Sequence, residues 1–138
     1  MTTATKTAHV TTYICVDGAS DAIDWYKRAL GAEERFRLEH EGRLSHAEIT
    51  IGDTVIMLSD EWPEGGVRSP LRFDGSCVSL VLDVPDCDAA FARAVDAGAK
   101  VERPLKDEPY GRGGWIIDPF GHRWSIMTAN PDFKPEDM

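Results

Sequence analysis

The chain has 138 residues, 42% hydrophobic and 28% charged, with a formal net charge of −9 at pH 7. This composition predicts a soluble globular protein of one domain, or of two small halves with a shared core. The acidic balance and the lack of a basic stripe argue against binding to nucleic acid or anionic membranes. Without a signal peptide, an apolar span or a CxxC spacing among the three cysteines, we expect a cytoplasmic protein with reduced thiols.

The first half of the chain predicts a strand, a helix and three further strands. The strand "HVTTYICV" precedes a helix over "SDAIDWYKRALG", in which Ile23 and Tyr26 share one face. Ser20 or Asp21 is expected to cap the start of this helix. The runs "EERFRLEH", "LSHAEITI" and "TVIMLS" follow as short strands separated by turn residues.

Residues 60–76 are rich in glycine, proline and charge and show no hydrophobic period. A loop of this length in a compact domain is either a lid over a site or a disordered connection. The first order of elements then recurs, with the strand "CVSLVLDV", the helix "DCDAAFARAVDAG" and the strands "AKVERPLKD", "GGWIIDP" and "HRWSIM". We expect helices near residues 20–31 and 87–98.

The two halves share their turn glycines as well as their element order. Gly31 and Gly98 end the two helices, and Gly52 and Gly121 lie in corresponding hairpin turns. Such internal similarity predicts an α+β fold of two tandem βαβββ modules. The expected boundaries within the single domain 1–138 are module 1 at about 9–59, the loop at 60–76, module 2 at about 77–128 and a tail at 129–138.

Alternation along the strands separates an apolar face from a mixed face. On "LSHAEITI", Ala47 and Ile49 point one way, and His46 and Glu48 point the other. A histidine and a carboxylate two residues apart form either a buried pair that satisfies itself or a general base with its partner. Both interpretations stay open.

For histidine and aromatic residues elsewhere in the chain, the sequence supports simpler expectations. His122 follows a Pro-Phe-Gly turn and is expected to point to solvent or to bond a neighbouring carbonyl. Trp25 and Trp124 fall on faces that helices should cover, so both are expected in the core. Trp62 lies in the long loop, and Trp115 on a strand that follows a glycine-rich stretch.

The segments "YICVDGASDAIDWYKRALGAEE", "LSHAEITIGDTVIMLSDEWPE", "VDAGAKVERPL" and "DPFGHRWSI" carry a family resemblance. Together, from about His9 to Met127, they resemble the vicinal oxygen chelate superfamily, which contains glyoxalases, bleomycin-resistance proteins and extradiol dioxygenases. The PhnB-like branch is the most similar. The resemblance implies that the modules form a curled mixed β-sheet cup with the helices outside, and that ligands bind inside the cup.

Mapped onto that cup, His46 lies opposite Trp115. Relatives commonly pair their modules across a dimer, so we expect a homodimer, with the cup formed within one chain or between two. The residues expected to line the cup are Thr11, Tyr13, His46, Glu48, Ile56 and Leu58 from the first half and Ser79, Val81, Trp115, Ile117, Ser125 and Met127 from the second.

Metal-dependent members of the superfamily carry histidine, glutamine or glutamate on the first and last strand of each module. The corresponding positions here are Thr11, Ile56, Ser79 and Ser125. Catalytic divalent sites usually need about three imidazole, carboxylate or thiolate ligands. We therefore expect neither a metal nor another cofactor.

These observations favour a metal-independent protein that binds a small planar or aromatic molecule, as bleomycin-resistance relatives do. One alternative is an enzyme, either a lyase or isomerase with His46 and Glu48 as catalytic residues, or a dioxygenase with a relocated metal site. Another is a regulatory or structural dimer with a vestigial cup. The expected ligand-binding residues are Tyr13, His46, Glu48, Trp62, Tyr110, Arg112, Trp115 and Ser125.

Overall fold

The computed structural model describes residues 7–137. The first module is a mixed four-stranded sheet covered by one helix, with strand order β1-β4-β3-β2. β1 runs parallel to β4, and the other neighbours are antiparallel. The elements are β1 (Thr12–Val16), α1 (Ala19–Leu30), β2 (Glu33–His40), β3 (Arg43–Ile51) and β4 (Thr54–Asp60).

The second module repeats this arrangement in a separate sheet of order β5-β8-β7-β6, in which β5 runs parallel to β8. The repeat confirms the predicted α+β fold of two βαβββ modules, with both helices close to their predicted bounds. No helix within residues 7–137 is long and apolar enough to cross a membrane. The elements are β5 (Ser79–Asp83), α2 (Cys87–Asp96), β6 (Lys100–Glu108), β7 (Gly111–Ile117) and β8 (Arg123–Ala129).

Helix α1 receives its N-terminal cap from a distant strand. Gly18 is the N-cap residue, and it offers no side chain. Instead, Oδ1 of Asp60 accepts hydrogen bonds from the backbone N–H groups of Gly18 and Ala19, at 3.2 and 2.7 Å. These are donors that a helix start leaves without partners. The prediction that Ser20 or Asp21 caps α1 is therefore wrong, because the cap comes from the end of β4.

The core lies between each sheet and its helix. Trp25 and Trp124 are both buried, as predicted. On β4, Ile56 pairs with Ile49, and Leu58 pairs with Ala47, so all four side chains point to the helix-covered face. The prediction that Ile56 and Leu58 line the cup is therefore wrong. "TVIML" is apolar on both faces, so its alternation gave no sign of which side the helix covers.

A buried carboxylate joins the two modules. Asp118, in the turn between β7 and β8, is 3% exposed and accepts hydrogen bonds from four donors. Its Oδ2 receives the hydroxyl of Tyr26 at 2.5 Å and the indole N–H of Trp124 at 2.9 Å. Its Oδ1 receives the backbone N–H groups of Phe120 and His122, both at 2.9 Å. Since Tyr26 belongs to α1, the carboxylate fixes the first module against the second.

Tyr26→Phe should therefore destabilise the protein. Burial and the Asp118 carboxylate hold the pKa of Tyr26 well above its usual value, so the phenol stays protonated and donates. Removing it takes one donor from a buried carboxylate, which should lower the free energy of unfolding by about 1–3 kcal/mol in urea denaturation.

The matched control for this substitution is Tyr110→Phe. Tyr110 is exposed and packs its ring edge-on against Phe133, with ring centroids 6.3 Å apart. The free energy of unfolding should change by less than about 0.5 kcal/mol. Equal losses of unfolding free energy in the two variants would show that the Tyr26 hydroxyl does not stabilise the contact between the two modules.

Candidate functional site

A cavity of about 930 Å³ opens where β1, β3 and β4 meet the long loop. Tyr13 contributes an aromatic ring from β1, and Trp62 contributes another from the loop. Arg43 and Arg68 bring guanidinium groups to the same wall. Four carboxylates border the same space, those of Glu41, Asp60, Glu61 and Glu64. This space, called the site cavity below, therefore combines aromatic surface with charged groups of both signs.

The face of the first sheet opposite α1 carries a row of hydrogen-bonded side chains. The hydroxyl of Tyr13 lies 2.8 Å from Nδ1 of His46, and Nε2 of His46 lies 3.0 Å from Oε2 of Glu48. The other oxygen of Glu48 accepts a hydrogen bond from Nη1 of Arg35 at 3.1 Å. The predicted pair of His46 and Glu48 is thus the middle of a longer row, and Tyr13 is its end at the cavity.

Apolar side chains surround this row. The rings of Tyr13 and Phe36 lie 5.3 and 5.8 Å from that of His46. Met57 pairs with both Tyr13 and Glu48, so the side chain of Met57 lies on this face of the sheet. The sequence interpretation had placed the two neighbours of Met57 on β4 there instead. Tyr13, Phe36 and Leu38 are 50%, 41% and 54% exposed, so this face is open to solvent in a single chain.

Tyr13 lines a second cavity as well, of about 580 Å³, between β1 and the start of β5. Phe73 and Val78 give that cavity a mostly apolar wall. His122 also borders it, and its Nε2 donates a hydrogen bond to the Cys15 carbonyl at 2.8 Å. The expected bond from His122 to a carbonyl is made, but to a residue 107 positions away rather than to a neighbour in the turn, and it ties the second module to β1.

The loop beside the site cavity is ordered by its own contacts. The backbones of Trp62 and Val67 exchange two hydrogen bonds, at 2.8 and 3.0 Å. The Trp62 ring lies directly against Gly65, where any Cβ would collide with it. Of the two alternatives left open for residues 60–76, the disordered connection is therefore not what the structure shows.

Glu61 anchors the same loop. Its carboxylate accepts hydrogen bonds from the guanidinium of Arg72, at 2.7 and 3.0 Å, and from the backbone N–H of Ser69 at 2.9 Å. These bonds, led by those from Arg72, lower the pKa of Glu61 from 4.5 to about 2. The group therefore stabilises the fold in its charged form.

Glu61→Gln should destabilise the protein in a pH-dependent way. Because the folded pKa is depressed, the stabilisation is fully present above about pH 4.5 and is lost as the pH falls towards 2. Urea denaturation should show the variant less stable than the parent at pH 7, with the gap closing near pH 2–3. Glu64→Gln, at an exposed position of the same loop, should show no such gap. A gap for Glu61→Gln that persists unchanged at low pH would contradict this linkage.

Cys15 borders both cavities. Burial, assisted by the negative charges of Glu61 and Asp60, raises the pKa of its thiol from 9.0 to about 11. The thiol is therefore protonated at neutral pH and is a poor nucleophile. It forms part of the wall rather than a reactive group.

Trp115 and Ser125 lie on the second sheet, away from the site cavity. They pair with each other across β7 and β8, and Val81 pairs with Ser125, so these three share one face as predicted. The guanidinium of Arg123 lies 3.8 Å from the centre of the Trp115 ring, and it also bonds Glu102 at 2.7 Å. One face of the Trp115 ring is thus already covered.

Tyr110 and Arg112 are placed differently from the sequence interpretation. Arg112 lies on the opposite face of β7 from Trp115, where it bonds Asp88 of α2 at 3.0 Å and Asp107 at 3.2 Å. Tyr110 packs at the end of the second sheet against the C-terminal segment. The structure brings together Tyr13, Trp62, His46 and Glu48, but not these two residues.

The residues at the superfamily's metal positions do not fit a divalent ion. Ile56 points into the core, and Ser79 accepts a hydrogen bond from Arg123 at 2.9 Å. Thr11 and Ser125 add only hydroxyl groups, whereas such sites are built from imidazole, carboxylate or thiolate ligands. In the described part of the chain, no three His, Cys, Asp or Glu side chains are grouped so that they could hold a metal ion.

We therefore predict that the purified, untagged protein carries no stoichiometric zinc, nickel, iron or manganese. Elemental analysis should give well below one metal atom per chain, and chelation should leave the thermal stability unchanged. About one metal atom per chain, removed by chelation with loss of stability, would contradict the donor-set argument.

Comparison with known proteins identifies the family. Residues 6–126 match the model of the Glyoxalase/Bleomycin resistance protein/Dioxygenase superfamily, and the chain belongs to that superfamily. An uncharacterized protein of Mycobacterium tuberculosis is 40% identical over 119 residues, which are 83% of this chain and 70% of that protein. The crystal structure of the Arabidopsis thaliana gene product At5g48480 matches with a TM-score of 0.71 at 27% identity, over 91% of this chain and 100% of that one. The anthracycline biosynthesis protein DnrV of Streptomyces peucetius is 31% identical over 83 residues, 60% of this chain but 28% of DnrV.

Sequence reasoning missed several charged residues of the site. Arg35 ends the hydrogen-bonded row, and Arg43 and Arg68 line the site cavity. All three lie in stretches that read as solvated strand or loop, where arginine is common. These arginines could be assigned to the site only once the strand pairing of β2 and the path of the loop were known, and the sequence alone gives neither.

Proposed function

We propose that this protein binds a small planar, aromatic molecule in the site cavity without a divalent metal. The observation that carries the proposal is the cavity itself, which has Tyr13 and Trp62 as aromatic walls and Arg43 and Arg68 as polar groups. Its volume and its mix of aromatic surface with a few polar groups are typical of small-molecule sites. The placement of Trp62 against Gly65 supports a preformed site, which lowers the entropic cost of binding.

The family supports a ligand of this kind. The superfamily includes bleomycin-resistance proteins, and the partial match to DnrV is to a protein of anthracycline biosynthesis. Anthracyclines are planar aromatic compounds, so hydroxyanthraquinones are the first class to test. Assignment to the PhnB-like branch and to the cytoplasm rests on the sequence motifs and is part of the same proposal.

We also propose that the protein is a homodimer. Tyr13 and Leu38 on the first sheet, and Val81 on the second, expose half or more of their surface in a single chain. Apolar side chains grouped on an open sheet face favour burial against a partner. The net charge of −9 disfavours nucleic acid and anionic membranes as partners. Sedimentation equilibrium tests the dimer directly.

An enzyme is the second candidate, and the bonded pair of His46 and Glu48 favours it. A lyase or isomerase could use such a pair for proton transfer. A dioxygenase needs a metal site for which the described residues offer no cluster. Incubation of any bound compound with the protein, followed by mass spectrometry, separates the candidates, because a binding protein returns the compound unchanged.

The proposal is tested by screening planar aromatic compounds through quenching of tryptophan fluorescence. Affinities are then measured by calorimetry for Trp62→Ala. Loss of the Trp62 ring should weaken binding about 10-fold, since an aromatic contact contributes about 0.5–1.5 kcal/mol beyond its buried area. The second cavity does not include Trp62, so the substitution also tells which cavity is occupied.

Trp115→Ala is the matched control in this titration. Trp115 lies on the other sheet beneath Arg123, so its loss should change affinity little if the ligand occupies the site cavity of one chain. Equal weakening by both substitutions would instead favour a cup that two chains complete. An unchanged affinity in Trp62→Ala would contradict the site proposed here.

A further inference from the structure

The second cavity, between β1 and the start of β5, differs from the site cavity in the chemistry of its wall. In the part of the chain that the structure describes, no Asp or Glu borders this cavity, whereas four carboxylates border the site cavity. A molecule inside the second cavity would therefore meet mainly hydrocarbon. The apolar wall is formed by Ile14, Pro70, Phe73, Val78 and Leu80.

Most polar groups of this wall already have partners within the protein. The hydroxyl of Ser76 bonds the backbone carbonyl and N–H of Val78, at 2.9 and 3.3 Å. The ring of His122 bonds the Cys15 carbonyl at 2.8 Å, and the guanidinium of Arg68 bonds a carbonyl of the loop at 3.3 Å. A ligand with many polar groups would lose its bonds to water here without replacing them, which is costly. The wall therefore favours a ligand with few polar groups.

The loop side of the cavity is held in place by contacts on both sides of Pro70. A Cβ atom built at Gly121 would lie 2.9 Å from Cβ of Pro70, so the turn before β8 packs closely against this proline. The N–H of Phe73 donates to the Pro70 carbonyl at 3.0 Å, and Glu61 binds Arg72 between them. A wall that is already ordered lowers the entropic cost of binding.

Two large apolar side chains of the wall are open to solvent. Phe73 is 61% exposed and Val78 is 62% exposed, and both border the same cavity of about 580 Å³. A space of this size is typical of small-molecule sites. A molecule that filled it would remove apolar surface of both side chains from water.

We infer that the second cavity is a binding site for a neutral, apolar small molecule, whether or not the site cavity binds its proposed ligand. The affinity comes from apolar surface removed from water and not from ion pairs. Tyr13, Cys15 and Arg68 border both cavities, so the two sites are neighbours, but Trp62 borders the site cavity alone.

The probe for this site is 1-adamantanol, an uncharged hydrocarbon cage with one hydroxyl group. Its shape is not planar, so it does not suit stacking on the aromatic rings of the site cavity. Calorimetry should show saturable binding, and cyclohexanol, with four fewer carbon atoms, should bind about 10-fold more weakly because it buries less apolar surface. Raising the salt concentration from about 0.1 to about 0.5 M should change the affinity less than about 2-fold. A several-fold loss of affinity in high salt would contradict binding by apolar contact.

The thiol of Cys77 reports where the probe binds. Cys77 is exposed and borders the second cavity, whereas burial raises the pKa of the Cys15 thiol to about 11 and Cys87 is 3% exposed. At neutral pH, N-ethylmaleimide should therefore alkylate Cys77 first, as peptide mass spectrometry can show. Saturating 1-adamantanol should slow this alkylation about 10-fold, in proportion to the occupied fraction. In protein unfolded by urea, the probe should not change the rate.

Two substitutions of valine by lysine provide a matched pair. Val78→Lys places a charge at an exposed position of the cavity wall and should weaken 1-adamantanol about 10-fold, because the bound probe would keep water from this charge. Val10→Lys adds the same charge at a position that is 94% exposed and outside the wall. The affinity of this control should stay unchanged.

The possible outcomes distinguish the second cavity from the site cavity and from a contact between chains. If saturating 1-adamantanol leaves the alkylation rate of Cys77 unchanged, the inference is overturned. The same holds if Trp62→Ala weakens the probe while Val78→Lys does not, because the probe then occupies the site cavity. If Cys77 is protected without the probe, in step with dimer formation in sedimentation equilibrium, a second copy covers the cavity and the inference is also overturned. The proposed function fails by a different result, an unchanged affinity for planar compounds in Trp62→Ala.

Discussion

The buried carboxylate of Asp118 is the constraint on which the arrangement of the two modules depends. It gathers donors from α1, from the turn before β8 and from β8 itself, and a buried carboxylate that lost them would cost several kcal/mol. The hydrogen bond from His122 to the Cys15 carbonyl then fixes β1 beside the second module. Since β1 carries Tyr13, the position of the site depends on these contacts between the modules, although the Asp118 contact lies on the helix-covered side of the sheet.

The fold could largely be predicted from the sequence because the patterns that indicate it are local and occur twice. The helix and strand periods, and the glycines after each helix, occur twice, and Gly31 and Gly98 both take the left-handed conformation that such helix ends favour. The helix cap was not readable, because Asp60 acts across 41 residues of sequence. The face of β4 was misassigned for a related reason: Ile56 and Met57 are equally apolar, and only the pairing with β3 distinguishes core from open face.

Only part of the candidate site could be predicted from the sequence. His46 and Glu48 could be found because residues two apart on a strand share a face, and Tyr13 because β1 has a clear period. Their partner Arg35 sits at an irregularity in the pairing of β2 and β3, where alternation gives no guidance. Arg112 was misplaced because the glycines around it hid the strand period, so its ion pair with Asp88 of α2 could not be foreseen. The positions of the loop arginines depend on the ion pair between Glu61 and Arg72, which folds the loop back. This ion pair is a tertiary contact that local sequence patterns do not reveal.

The thiol of Cys15 gives the site cavity a chemical property of its own. Many planar aromatic compounds, quinones among them, are electrophiles that thiolates attack. Burial, and then the carboxylates Glu61 and Asp60 that anchor the loop and cap α1, raise the pKa of this thiol, so the sulfur in the cavity wall stays protonated across the neutral range. The contacts that hold the wall together thus also leave it inert, and a reactive compound that entered the cavity would meet this thiol in its protonated, unreactive form.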